Sequence, residues 1–184
     1  MLTIPQSMPV RPGQQYGALP LRGDGGPARV LLLTSRDTGR WVLPKGWAEE
    51  RLTGPQLAAK EAFEEGGLLG EVATEAFGSY CYVKRLKQGG SMRCVVDAFV
   101  MRVERELDEW PERHQRRRQW FSLRDAAGAV AEPELAALLL KLATLVERPL
   151  RQGPASVLSP PECRSNPAMT SITARLVRKA APHG

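Results

Sequence analysis

The chain has 184 residues, 42% of them hydrophobic and 25% charged, with a formal net charge of +6. That is enough apolar material for one ordinary globular core, no stretch is long and apolar enough to span a bilayer, and the first fifteen residues lack the basic-then-apolar order of a secretory signal, so the expected location is cytoplasmic. Five basic residues against the single Glu162 put +4 of the charge in residues 151–184, leaving +2 for residues 1–150, too little for a general nucleic-acid-binding surface.

Residues 15–21 and 29–35 read as strands, the second so uniformly aliphatic that it is expected at the centre of a sheet covered on both faces. Residues 36–39 form a turn, and 41–43 a short strand that delivers Pro44, Lys45 and Gly46 into a loop. A helix begins after Thr53, which forms a capping box with Gln56, and Pro55 lies in its first turn. Residues 71–85 and 91–104 are rich in β-branched and aromatic side chains around Gly89 and Gly90, the pattern of a long hairpin. A short strand at 119–123 precedes a helix from about Arg124. Residues 134–147 then place Leu135, Leu138, Leu139, Leu142 and Leu145 at helical spacing, an amphipathic helix that closes the core. The expected organisation is one domain over residues 1–148. Residues 149–184, rich in Pro, Ser, Arg and Ala, form a mostly disordered or weakly docked tail with one candidate short helix at 172–178.

The chemistry points to carboxylates. Cys81, Cys94 and Cys163 are odd in number and lack metal-type spacing, and His114 and His183 are the only histidines, so neither a disulfide framework nor a histidine-based zinc or nucleophile site is expected. Cys81 and Cys94 read as strand thiols. In contrast, Glu61, Glu64 and Glu65 share one helical face at offsets of three and four. Like charges so placed destabilise a helix, and these lie near its C-terminal end, just before Gly66 and Gly67, where the macrodipole also disfavours them. A hard divalent cation such as Mg²⁺, which takes oxygen ligands, relieves both costs, and Mn²⁺ is the alternative.

The segment GWAEERLTGPQLAAKEAFEEGGL, residues 46–68, resembles the Nudix box, G-x5-E-x7-R-E-U-x-E-E-x-G-U, in which U is a bulky aliphatic residue. Gly46, Glu61, Glu64, Glu65, Gly67 and Leu68 match it. Leu52 stands in place of a glutamate, Lys60 of an arginine and Ala62 of a larger aliphatic, and Glu49 or Glu50 could supply the missing carboxylate. The resemblance spans roughly residues 14–147 and implies a Nudix fold, α/β, with a mixed sheet sandwiched between helices. The stretch WPERHQRRRQWFSLRDAAGAV looks like the corresponding segment of diphosphoinositol polyphosphate and diadenosine polyphosphate hydrolases. Arg93 and Arg116 match basic positions that contact phosphates in the diphosphoinositol branch. Gln14, Gln15 and Tyr16 replace that branch's basic run, Glu132 replaces a lysine, and the Pro44-Lys45-Gly46 string is closer to the bacterial and diadenosine versions.

The resemblance implies that Glu61, Glu65 and the Gly46 carbonyl are metal ligands. Glu64 is the candidate general base or a ligand to a second ion, with Glu109 and Glu112 as alternatives, and Lys60 orients the carboxylates or touches phosphate. Lys45, Arg93 and Arg116 are the candidate substrate-binding residues. Two basic clusters, Lys84, Arg85, Lys87 and Arg93, and Arg113 with Arg116 to Arg118, either neutralise polyphosphate or form solvated faces. The expected partner is a small-molecule polyphosphate whose phosphoanhydride is hydrolysed. Nucleic acid is not favoured, although removal of pyrophosphate from RNA 5′ ends is one alternative and a non-catalytic nucleotide-sensing module is another. The sequence carries no signal of oligomeric state.

Overall fold

The computed structural model describes residues 13–23, 27–86 and 89–146. The tail at 149–184 with its candidate helix and Cys163, the domain boundary at 148, Lys87 and Glu147 lie outside the described residues. Eight strands and three helices occur among the described residues, in the order β1 (Gln14–Arg22), β2 (Arg29–Thr34), β3 (Trp41–Val42), β4 (Lys45–Trp47), α1 (Gly54–Gly66), β5 (Leu68–Val72), β6 (Gly78–Arg85), β7 (Ser91–Glu106), β8 (Arg118–Ser122), α2 (Leu123–Ala129) and α3 (Pro133–Val146).

The strands form one mixed sheet. β1 runs parallel to β7, Gln14 opposite Val95 through Leu21 opposite Arg102. On its other edge β1 meets β4 at Gln15 to Gly17 but β2 only at Leu21 and Arg22, so β1 and β2 splay apart. β3, on β2, and β4, on β1, occupy the opening, while β8 covers the far edge of β2. This divergence lets the Pro44-Lys45-Gly46 segment pass beside the start of the sheet and face α1.

Alternation along the strands sorts the core into two faces. Leu19, Val30, Leu32, Leu43, Val96 and Val100 pack with Leu123 of α2 and with Leu135, Leu139 and Leu142 of α3. Ala18, Leu31, Leu33, Phe99 and Met101 pack on the opposite face with Ala58 and Ala62 of α1. β2 is aliphatic at successive positions because both of its faces are covered. The result is a sheet sandwiched between helices, as the resemblance implies.

Three local expectations are corrected. Residues 45–47, expected as loop, form β4, because the β1 edge vacated by β2 offers backbone partners to Lys45, Gly46 and Trp47. The first arm of the hairpin is broken: β5 pairs with the C-terminal part of β7 and β6 with the N-terminal part. Between them Ala73 and Phe77 still donate to the Val100 and Ala98 carbonyls, at 2.8 Å each, so residues 74–76 loop out without releasing the chain. In α3, Leu145 is 44% exposed, and Ala143 and Val146 continue the buried stripe instead, since eleven residues from Leu135 complete three helical turns.

Candidate active site

α1 starts where its signals place it. The Thr53 N–H donates to Gln56 Oε1 at 2.9 Å, and Pro55 lies in the first turn, where a missing N–H costs little. It ends at Gly67, whose φ of 65° is the left-handed conformation that glycine adopts without strain. The last carbonyls of the helix are not left bare. Trp110 Nε1 donates to the Glu65 carbonyl at 3.2 Å, and Arg118 donates to the Gly66 carbonyl at 2.7 Å and the Leu107 carbonyl at 2.9 Å. The Arg118 guanidinium also stacks over the Trp110 ring, placing a cation where the helix dipole favours one.

Glu61, Glu64 and Glu65 face one cleft of about 620 Å³, lined on its other sides by Lys45 and Gly46, the 35–40 turn, β6 and the loop before β8. Glu61 lies against the backbone of Gly46: a Cβ added there would stand 1.9 Å from Glu61 Oε1, so only glycine allows this approach. Burial, reinforced by the charges of Glu65 and Glu64, pushes the Glu61 carboxyl up to about 7. Glu65 is 7% exposed and accepts from the Lys45 backbone N–H at 3.0 Å. Its other oxygen is bound by the buried Arg116 guanidinium, which also donates to Glu112 Oε2 at 2.6 Å and to the Thr34 carbonyl at 3.2 Å. Burial raises the Glu65 pKa, and Arg116 and Lys45 oppose the rise. Burial lowers the pKa of Lys45, with Glu65 opposing.

The candidate residues are not all brought together. Lys45, Gly46, Glu61, Glu64, Glu65 and Arg116 share the cleft. Arg93 lies outside it, with its guanidinium 3.5 Å from Cys81 Sγ. Arg116 is in place but committed to two carboxylates and a carbonyl, a different arrangement from a free phosphate-binding side chain. Lys60 sits on the outer side of α1, where its ammonium donates to Glu49 Oε1 at 2.6 Å and lies 3.9 Å from Glu64 Oε2. Glu49, not Glu50, lines the cleft, so the loop does bring a carboxylate to the helix despite Leu52. Of the two alternative bases, Glu112 lines the cleft and Glu109 pairs with Arg113 outside it.

A divalent cation suits the chemistry of this donor set: hard oxygens, a glycine that admits Glu61 against its backbone, and a Glu61 carboxyl pushed up to about 7 by burial and its acidic neighbours. Among the described residues, no three acidic, histidine or cysteine side chains converge closely enough to enclose an ion as they stand. At Glu65, Arg116 supplies a countercharge. An ion bound through Glu65 would share that carboxylate with Arg116 and the Lys45 N–H.

Sequence reasoning missed the far part of the cleft, formed by Gln15, Tyr80, Tyr82, Arg40 and Glu132. The Tyr82 hydroxyl donates to Gln15 Oε1 at 2.8 Å, and Arg40 is 3.3 Å from Glu132 Oε1. The available signals were Gln15, in place of the diphosphoinositol branch's basic run, and Glu132, in place of its lysine.

No protein-family model matches the chain. Nudix hydrolase 12, mitochondrial, of Arabidopsis thaliana is 31% identical over 103 residues, covering 53% of this chain and 49% of that protein. Diphosphoinositol polyphosphate phosphohydrolase 3-alpha of Mus musculus is 31% identical over 99 residues, covering 53% and 56%. The chain spans about half the length of the curated relatives it matches. Among solved structures, a C. elegans Ap4A hydrolase superposes with a TM-score of 0.56 at 20% identity, covering 73% of this chain and 98% of that one. The chain has the Nudix fold, and its relatives in sequence are Nudix hydrolases.

Proposed function

We propose that the protein is a divalent-metal-dependent Nudix pyrophosphohydrolase, cleaving a phosphoanhydride in a nucleoside diphosphate derivative, a diadenosine polyphosphate or a diphosphoinositol polyphosphate. The observation that carries this reading is the cleft itself: Glu61, Glu64 and Glu65 present carboxylates across Gly46, with Lys45 and Arg116 beside them. Two substrates named among the similar proteins, the diphosphoinositol polyphosphates of the mouse protein and the Ap4A of the C. elegans hydrolase, carry phosphoanhydrides.

Glu61, Glu65 and the Gly46 carbonyl would hold Mg²⁺ or Mn²⁺. When bound, such an ion supplies Lewis acidity at the phosphoanhydride oxygens. Glu64, with a side chain 40% exposed at the cleft edge, would accept a proton from an attacking water. Glu112 is the second candidate, but each of its oxygens is already ion-paired, one with Arg36 and the other with Arg116. Lys60 bridges Glu49 and Glu64 and so orients the cleft edge rather than reaching phosphate. Lys45, deprived of solvent and lining the same cleft as Glu65, would meet a phosphate oxygen where charge develops.

The test is a substrate panel with Mg²⁺ and Mn²⁺ that includes 5′-triphosphorylated RNA, read by released phosphate and nucleotide. Turnover of a small diphosphate with weak salt dependence supports the reading. Turnover of RNA alone, with affinity falling steeply as salt rises, selects the RNA 5′-end alternative. Binding without turnover of any member selects the nucleotide-sensing alternative. A cytoplasmic location belongs to the same proposal and is checked by fractionation; no helix among the described residues is long and apolar enough to cross a membrane.

A further inference from the structure

A helix leaves its last carbonyls without partners of its own. In α1 they belong to the turn that carries Glu64 and Glu65. The Gly67 N–H takes the Ala62 and Phe63 carbonyls, and the next four carbonyls in a row accept from one outside segment, Leu107 to Arg118, which joins β7 to β8. The Glu112 N–H donates to the Glu64 carbonyl at 3.1 Å, Trp110 Nε1 to the Glu65 carbonyl at 3.2 Å, Arg118 to the Gly66 carbonyl at 2.7 Å, and the Leu107 N–H to the Gly67 carbonyl at 2.8 Å.

The same segment reaches the carboxylates. Arg116 binds the carboxylate of Glu65, the residue whose carbonyl Trp110 holds, and it pairs with Glu112, whose N–H holds the Glu64 carbonyl. Glu65 is thus gripped at backbone and side chain by one loop. Two of the four carbonyl donors are side chains, and these two brace each other. Arg118 Cζ lies 4.1 Å from the Trp110 ring centroid, and the other arm of the guanidinium donates to the Leu107 carbonyl at 2.9 Å, tying the end of the segment to its start. Gly67 permits the approach, since a Cβ there would stand 2.8 Å from the Trp110 ring. Glu112 and Arg116 line the cleft, whereas Trp110 and Arg118 do not.

We propose that residues 107–118 are a clamp that sets the reactive placement of Glu64 and Glu65, with Trp110 and Arg118 as positioning residues that touch neither substrate nor metal. A displacement of about 1 Å at a reacting group costs about a hundredfold in rate, so contacts that fix the last turn of α1 act on the chemistry from outside the cleft. Because neither side chain lines the cleft, the clamp governs kcat and the hold of the carboxylates on an ion, and leaves substrate affinity alone. The inference rests on the divalent-metal hydrolase reading and adds to it the part of the chain that aligns the metal helix.

The full chain is compared with Trp110→Phe, which removes one N–H and keeps a ring beside Arg118, and with Arg118→Lys and Arg118→Gln. Leu139→Ala, in the core on the opposite face of the sheet from α1, is the control for lost stability. Turnover of the best substrate of the panel is measured beside the affinity for Mn²⁺ alone, followed by electron paramagnetic resonance, at a temperature where the variants are folded. The expected result for Trp110→Phe and Arg118→Gln is a kcat lower by about tenfold or more, a KM within about threefold of wild type, and Mn²⁺ binding weakened about threefold or more. Arg118→Lys, with one ammonium in place of a two-armed fork, should fall between wild type and Arg118→Gln. Leu139→Ala should keep wild-type kcat and Mn²⁺ affinity despite its lower Tm. If Arg118→Gln does not fold, Trp110→Phe decides alone. Variants with a lowered Tm but kcat and Mn²⁺ affinity within about twofold of wild type overturn the inference and leave the hydrolase reading standing. A raised KM at unchanged kcat also overturns it, since the two residues would then act on substrate binding. Mn²⁺ binding without turnover in the wild type, weakened in the variants, rejects the hydrolase reading and still supports the clamp. A wild type that neither binds Mn²⁺ nor turns over any substrate rejects the hydrolase reading and the inference with it.

Discussion

Glu61 titrates where few carboxylates do, at about 7 against an ordinary 4.5, because it is buried beside Glu65 and Glu64. A raised acid binds more protons folded than unfolded, so its contribution to stability is present below pH 4.5 and is lost as pH rises through about 7. Glu61→Gln should therefore raise the metal-free Tm at pH 8 and change it little at pH 5, which thermal unfolding at the two pH values checks. Divalent-ion affinity, measured by calorimetry, should rise over the same window, since the ion needs the ionised carboxylate. Arg116 is the counterpart. Its removal leaves Glu65 buried and short of its main countercharge, so Arg116→Ala should cost about 3–5 kcal/mol in the metal-free protein. Adding Mg²⁺ or Mn²⁺ should recover part of that loss, because the ion takes over the neutralising role; denaturant melts with and without metal decide it, and an unchanged loss would separate Glu65 from the metal.

At the scale of elements, α1 and the Gly46 strand must approach closely for the cleft to exist. In Gly46→Ala the three atoms nearest the new methyl all belong to the flexible Glu61 side chain, the first 1.9 Å away, so Glu61 is expected to swing aside and the fold to persist. Loss of at least a hundredfold in kcat/KM with Tm within about 4 °C of wild type is expected, a split consistent with less than about 1 kcal/mol of folding energy. Gly67→Ala should behave in the opposite way. Its methyl would stand 2.8 Å from the Trp110 ring and 2.9 Å from the Arg118 guanidinium, at a φ of 65°. Both the helix terminus and the groups that cap its carbonyls are strained, so a stability loss of at least about 1 kcal/mol is expected from denaturant titration. The capping box and the Gly67 stop were legible because they depend on residues within a few positions of each other. β4 was not, since three residues acquire strand pairing only through the splaying of β1 from β2.

For the molecule as a whole, both faces of the sheet are covered by described residues, α1 on one and α2 with α3 on the other. A chain ending near Arg148 should therefore fold and keep its turnover, checked by circular dichroism and by activity beside the full chain. Leu139→Ala, which empties a fully buried position in the α3 face, should cost about 2–5 kcal/mol. The shared face of Glu61, Glu64 and Glu65, the helix that carries them and the central aliphatic strand were determined by sequence alone, because each follows from spacing of two, three or four residues along one element. The tertiary structure decided which charges are spent on each other. Arg116 and Arg118 belong to one basic run, yet the first neutralises Glu65 and the second caps α1, while Arg93 lies away from the cleft. It also decided that Gln15, Tyr80, Tyr82 and Glu132, from β1, β6 and the start of α3, share a wall. No periodicity reports that meeting, because contacts between distant parts of the chain depend on how the strands splay and the helices dock, and only the folded packing specifies either.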